Sequence, residues 1–387
     1  MRFDFLKLDD KLNDEQRALR QQVRRYVTDV VLPDINGFWE RAEFPRQMAM
    51  RLGELPIMGG MLQGYGCAGL DALSNGLVRY EIGRGDGSIG TFYGVHSGLA
   101  MGSIGLLGSE EQKARWLPAM ARLEKIGAFG LTEPERGSDA AGVLTTARRD
   151  GDVYLLNGQK RWIGNAAIAD FLIIWARDET GAFGGFVLEN PGETDGVSIT
   201  NIGGKISKRA VLNADIRLEE VAVPAANRLA RVSSFGDLAQ VLAYTRYSVC
   251  WEAAGVAAAC LEYALDYAGQ REQFGRPIAG FQLVQQKLVE MAADVTQMQL
   301  LCYRLAELME AGEATAPMIS LGKYNNAARA RRVAQTAREV LGGNGILIEN
   351  HIARLMLDAE AIYTYEETNE INLLIVGREL TGLSAFT

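Results

Sequence analysis

Apolar positions recur at helical spacing over the first third of the chain. Asn13 to Val27 reads as a helix, with Asn13 as its cap and Leu19, Val23, Tyr26 and Val27 on one face. The same period continues through Phe44–Leu52, Ala72–Ile82 and Glu110–Arg122. Near Ala128 the pattern changes. From Val153 to Val223 it becomes short β-rich runs (VYLLNGQKRWIGN, DFLIIWARD, GGFVLEN, VSITNI, ADIRL). These are separated by turn signals at Asn157-Gly158, Gly181, Gly184-Gly185 and Pro191-Gly192, and Pro224 closes the run. Helical spacing returns at about Phe235 and holds through Gly236–Arg271, Gln282–Glu310, Ala316–Leu341 and Thr368–Thr381, four long segments that predict a bundle. The order is α, β, α. The boundaries it predicts are an N-terminal helical domain over 1–127, a middle antiparallel β-barrel over 128–233 and a C-terminal helical bundle over 234–387.

Gly87 to Ser109 contains no formally charged residue, long enough for a membrane span. Glycines at 87, 90, 94, 98, 102, 105 and 108 instead form a stripe on one helical face, with Ser88, Thr91, Tyr93, His96 and Ser97 interspersed. The preferred reading is a buried helix approached closely by its neighbours.

Composition narrows the chemistry. The 387 residues are 48% apolar and 23% charged, an ordinary globular profile large enough for several cores. A net charge of −8 argues against a nucleic-acid partner. Two histidines, His96 and His351, are too few for a multi-His metal site or a Ser-His-Asp triad, and both read as packing or capping residues. Cys67, Cys250, Cys260 and Cys302 form no CxxC pair, which predicts reduced thiols and a cytoplasmic location. The acidic N-terminal stretch resembles neither a secretory signal nor a transit peptide, and the C-terminal LSAFT is no peroxisomal signal. The run from Gly85 to Gly90 spells GxGxxG, but it follows a helix rather than a strand, so it predicts a turn between helices rather than a dinucleotide fingerprint.

Five other segments stand in order: Phe129-Gly130-Leu131-Thr132-Glu133-Pro134 with Gly137-Ser138-Asp139; Asn157 to Asn165 (NGQKRWIGN); Arg271-Glu272-Gln273-Phe274-Gly275; Leu341-Gly342-Gly343-Asn344-Gly345; and Tyr365-Glu366-Glu367-Thr368. Singly, each has a structural explanation: a turn, a core tryptophan, a capped helix end, a linker. Together, at these separations, they resemble the acyl-CoA dehydrogenase family over nearly the whole chain, from about residue 12 to 386. The likeness is nearest to the glutaryl-CoA dehydrogenase-like branch and the plant short-chain acyl-CoA oxidases.

The resemblance implies a helical domain, a β-barrel and a four-helix bundle, with FAD as cofactor, and a homotetramer assembled as a dimer of dimers. It implies that Phe129, Leu131 and Thr132 face the flavin, that Ser138 bonds the pyrophosphate and borders the substrate, and that Trp162 and Gly164 flank the ring. Arg271, Gln273, Phe274, Gly342, Gly343 and Thr368 would meet FAD, the first three reaching that of the neighbouring subunit. Glu366 matches the family's base, with Arg246, Tyr365 and Glu367 near the substrate. The reaction implied is removal of the α-proton of an acyl-CoA by Glu366 and of the β-hydride by flavin N5. The Glu366 N–H and a ribityl hydroxyl would hold the thioester oxygen as charge develops. Some relatives carry the base just before the bundle arginine; here that position is Thr245.

Three departures sharpen the expectation. Glu367 stands where the family has glycine. It either crowds and repels Glu366 or, the preferred reading, turns to solvent or meets an arginine. Gly164 stands where dehydrogenases mostly have Thr or Ser, as in the short-chain oxidases, so O2 is an alternative to an electron-transfer flavoprotein as acceptor. No Arg or Lys lies between Gly87 and Ser109, where glutaryl-CoA dehydrogenases carry the arginine for the distal carboxylate, so an uncharged short or branched acyl chain is expected, with Phe92 and Tyr93 as candidates for shortening the pocket. A CoA-ester binding protein that has lost catalysis is the remaining alternative.

Overall fold

The computed structural model describes residues 4–385; Met1–Phe3, Phe386 and Thr387, including the end of the LSAFT tail, lie outside them. Helix α1 (Asp14–Tyr26) starts where expected, because Asn13 and Gln16 cap each other reciprocally, the Asn13 Oδ1 accepting the Gln16 N–H at 2.8 Å. After a wider turn over Val27–Val31 come α2 (Ile35–Arg41), α3 (Arg46–Met50) and α4 (Ala72–Gly85). The GxGxxG run is a turn between helices: α4 ends at Gly85, and Asp86 caps α5 (Gly87–Tyr93) by accepting the Ile89 N–H.

The uncharged run continues from α5 through a π-helical stretch, Gly94–Ala100, into α6 (Met101–Leu107), and α7 (Glu110–Ala121) follows. Among the described residues no helix is long and apolar enough to cross a membrane. The glycine stripe is packed against protein. A methyl group at Gly90, Gly94 or Gly98 would stand 3.5 Å from Glu252, 3.0 Å from Arg79 and 3.1 Å from Thr245, respectively. His96 is fully buried, its Nδ1 accepting the Gly127 N–H at 3.0 Å; burial pushes its pKa down to about 4, so it is a neutral packing residue.

The middle region holds β1 (Gly127–Gly130), β2 (Thr146–Asp150), β3 (Val153–Gly164), β4 (Phe171–Asp178), β5 (Phe183–Glu189), β6 (Val197–Asn201) and β7 (Asn213–Pro224). They form one sheet in the order β1-β4-β2-β3-β7-β6, with β5 on β4. The expected antiparallel pairing needs one correction: β1 and β2 both run parallel to β4. Strand β4 enters the sheet only after the β2–β3 hairpin, and its apolar run Phe171–Ala176 is buried throughout, as central parallel strands are.

The C-terminal region comprises α8 (Phe235–Gln270), the short hairpin of β8 (Glu272–Gln273) and β9 (Arg276–Pro277), then α9 (Gln282–Glu310), α10 (Ala316–Val340), α11 (Ile352–Thr364) and α12 (Asn369–Thr381). Helix α11 adds a fifth segment to the expected four. Its apolar stripe is masked by Arg354 and Asp358, one turn apart and both fully buried. Arg354 pairs with Asp86 at 2.7 Å, and Asp358 accepts the Lys208 N–H and the Trp39 indole. Helix α8 is the central member. Its Trp251 and Glu252 lie against Gly76 and Gly83 of α4, where a Cβ would collide.

Candidate active site

Tyr365 to Thr368 join α11 to α12. Glu366 and Glu367 both have left-handed backbones, at φ 51° and 55°, which non-glycine residues adopt at a cost of order 1 kcal/mol or more each. The loop is held against that cost from both sides. Lys323 of α10 donates to the Tyr363 and Glu367 carbonyls at 3.2 and 2.8 Å. The Asn372 amide reaches the Glu366, Glu367 and Thr368 carbonyls at 3.3, 3.0 and 3.1 Å. Thr368 caps α12 by accepting the Ile371 N–H.

The two adjacent carboxylates have different surroundings. Glu367 turns to an arginine: its Oε2 accepts from Arg246 Nε at 2.7 Å and Nη2 at 2.5 Å, while Arg246 Nη1 donates to Ser320. Glu366 lines the cavity, and its Oε2 accepts the Thr245 hydroxyl at 2.8 Å. Burial, then the neighbouring Glu367 charge, push the Glu366 carboxyl up to about 7; Thr245, Arg246 and Lys323 oppose that rise. Lys323 is fully buried, and desolvation lowers it to about 8 despite the two glutamates.

The opposite wall is built from the two earlier motifs, which work as one device. Lys160 of β3 is fully buried. It donates to the Leu131 carbonyl at 3.1 Å and to Glu133 at 2.8 Å. Glu133 in turn accepts from the Leu144 and Thr145 backbones, and the Arg161 N–H donates to the Thr132 carbonyl. The Phe129–Thr132 strand end is thereby fixed to the strand bearing Trp162. An irregularity in the β3–β7 pairing between Lys160 and Ile163 puts Trp162 at φ 65° and leaves it 52% exposed. At Gly164 a Cβ would stand 3.0 Å from Val95 Cγ2, so a Thr or Ser there would crowd helix α5's continuation.

One cavity of about 780 Å³ joins the two walls. Phe129, Leu131, Thr132, Ser138, Trp162, Gly164, Tyr365, Glu366, Glu367 and Thr368 all line it. Tyr93 lines it too, whereas Phe92 is buried against Phe44 and His96 and does not. Arg246 stands behind the loop, touching Glu367 rather than the cavity. Arg271, Gln273, Phe274, Gly342 and Gly343 are not among the lining residues. The first three sit on or beside the β8–β9 hairpin, whose tip residue Phe274 is 94% exposed, and the glycines form the turn after α10. Sequence reasoning missed Lys323 and Asn372 as holders of the loop, Lys160 with Glu133, and Arg79 on the cavity wall. The lysines of Ser320–Lys323 (SLGK) and of NGQKRWIGN were the available signal.

Residues 13–124 match the acyl-CoA dehydrogenase N-terminal domain, 128–221 its middle domain and 235–381 its C-terminal domain. The chain belongs to the acyl-CoA dehydrogenase family. This dehydrogenase-family chain is 33% identical to an acyl-CoA dehydrogenase of Bacillus subtilis (strain 168), over 96% of its own length and 99% of the relative's. It superposes on a glutaryl-CoA dehydrogenase from Mycobacterium smegmatis with a TM-score of 0.96 at 42% identity, covering 99% of each chain. A second glutaryl-CoA dehydrogenase from that organism, in complex with FADH2, gives a TM-score of 0.96 at 37% identity over 100% of this chain and 99% of the other.

Proposed function

We propose that this family member performs FAD-dependent α,β-dehydrogenation of an uncharged short or branched acyl-CoA, with Glu366 as the base. The observation that carries the reading is the position of Glu366. Its carboxyl, raised to about 7, faces the same cavity as Phe129, Leu131, Thr132 and Trp162. An aromatic and a half-exposed indole beside a strand end of fixed carbonyls fit a flat ring system, and a solved neighbour holds FADH2. When bound there, the flavin supplies a hydride acceptor at N5.

The protein's own part follows from the geometry. A carboxyl poised near neutrality is ionised often enough to take a proton and basic enough to keep it. Thr245 orients the oxygen that does so. Arg246 and Lys323 counter the Glu367 charge, so that two adjacent carboxylates can coexist at the cavity wall. The thioester oxygen is proposed to lie at the Glu366 N–H, and Ser138 and Tyr365 to border the bound molecule. The exposed Arg271–Phe274 hairpin and the Gly342–Gly343 turn are proposed to meet the FAD of a neighbouring subunit in a homotetramer. The free cysteines are in keeping with a cytoplasmic location.

An electron-transfer flavoprotein is the proposed acceptor. Gly164 favours a second reading, O2 as acceptor in an oxidase, because that position carries no hydroxyl and packs on Val95. Hydrogen peroxide released in aerobic turnover without added acceptor would establish the oxidase; its absence supports the dehydrogenase. Purified protein that neither carries nor takes up FAD would overturn both.

A further inference from the structure

The inner wall of the cavity is polar in a way that hydrocarbon substrates do not require. Asn75 and Arg79 stand one turn apart on α4, and Tyr244 and Ser248 one turn apart on α8; all four line the cavity, as does Ser97. Arg79 is 5% exposed and sits beside Gly94, where a methyl group would meet its Nη1 at 3.0 Å and Nη2 at 3.2 Å. The glycine therefore leaves room for the guanidinium, whose Cζ also lies 5.4 Å from the Tyr93 ring centroid. A guanidinium carries five N–H bonds. Arg79 uses Nη1 on the Gly90 carbonyl and Nη2 on Glu252, and Nε has no partner.

Distance and charge limit what could be received there. Gly98 marks the Thr245–Glu366 contact and Gly94 the guanidinium, about one turn apart along the π-helical stretch. Charge around Arg79 is already balanced. Arg79 and Lys208 share Glu252, the Lys208 N–H and the Trp39 indole meet Asp358, and Arg354 meets Asp86. Three buried cations face three buried carboxylates, and an anion brought to the Arg79 guanidinium would be repelled by Glu252. A neutral acceptor oxygen would not, and it would satisfy donors that a methylene chain leaves dry.

We propose that the acyl group this enzyme selects carries a neutral oxygen, as a ketone or hydroxyl, a few carbons beyond Cβ, received by Arg79 with Asn75 and Ser248. The inference rests on the dehydrogenase reading above and names its substrate class. Arg79 is then a specificity-determining residue that approaches the acyl pocket from α4 rather than from the glycine-striped helix.

The test is a matched series of acyl-CoAs of one chain length on the FAD-loaded enzyme: unsubstituted, keto- or hydroxy-substituted beyond Cβ, and ending in carboxylate. The expected result is kcat/KM about tenfold or more higher for the neutral oxygenated chain than for either other member. Titration with the corresponding 2-enoyl-CoA products should show the same order of affinity without turnover. Arg79→Lys, which keeps a cation for Glu252, should reduce the preference to near unity; a brace for Glu252 alone would lower all substrates equally and leave the ratio intact. Equal or better use of the unsubstituted chain overturns the inference while sparing the dehydrogenase reading. Failure of every acyl-CoA to reduce the flavin overturns that reading instead.

Discussion

At the scale of single residues, two neighbouring glutamates differ because their partners differ. Glu367 was the most visible departure from the family pattern, and the sequence offered solvent or an arginine as its bland fate. Arg246 is that arginine. The pairing leaves the Glu367 charge close enough to hold Glu366 up while Thr245 and the two cations draw it down. Two substitutions should therefore move the acid limb of the kcat/KM profile in opposite directions. Glu367→Gln removes the repelling charge but keeps an oxygen for Arg246, and should carry the limb to lower pH. Thr245→Val removes the donor, and should carry it to higher pH with a lower plateau. Profiles in which both variants shift the same way would contradict this description. Glu366 was legible because Tyr365 and Thr368 fix its register; its partner Thr245 was read only as an empty rival position, since a hydroxyl's direction is not written in its neighbours.

At the scale of elements, the Lys160–Glu133 pair ties the strand end bearing Phe129, Leu131 and Thr132 to the strand bearing Trp162. Both groups are buried, so losing one partner leaves an uncompensated charge worth about 3–5 kcal/mol. Lys160→Met should lower the unfolding free energy by that order and weaken flavin retention. The double variant Lys160→Met/Glu133→Gln should recover much of the stability, as denaturant titration would show. Both motifs were visible in the sequence as separate turns and strands; that they interlock was not, because the bond runs between side chains 27 residues apart. Helix α11 escaped detection for a related reason. Arg354 and Asp358 occupy core positions, and a period count scores buried charged residues as an exposed face. The parallel pairing of β1 and β2 with β4 is likewise a long-range choice that turn signals do not encode.

At the scale of the whole molecule, the α-β-α order and the family were legible from patterning and five spaced motifs, because each element's local preference agrees with its place in the fold. The site also has a cost to the molecule. A carboxyl whose pKa is raised on folding contributes nothing below its unfolded value of 4.5 and destabilises the folded state increasingly as pH rises through about 7. Glu366→Gln should thus raise the Tm at pH 8 and change it little at pH 4.5, a difference calorimetry can read. An equal gain at both pH values would mean that the raised carboxyl is not the source.

The central claim is that Glu366, and not its neighbour, takes the α-proton. Anaerobic mixing of FAD-loaded protein with an acyl-CoA that reduces the wild-type flavin tests it most directly. Glu366→Gln should retain FAD and lose the bleaching, while Glu367→Gln should still bleach. Bleaching by Glu366→Gln together with its loss in Glu367→Gln would contradict it.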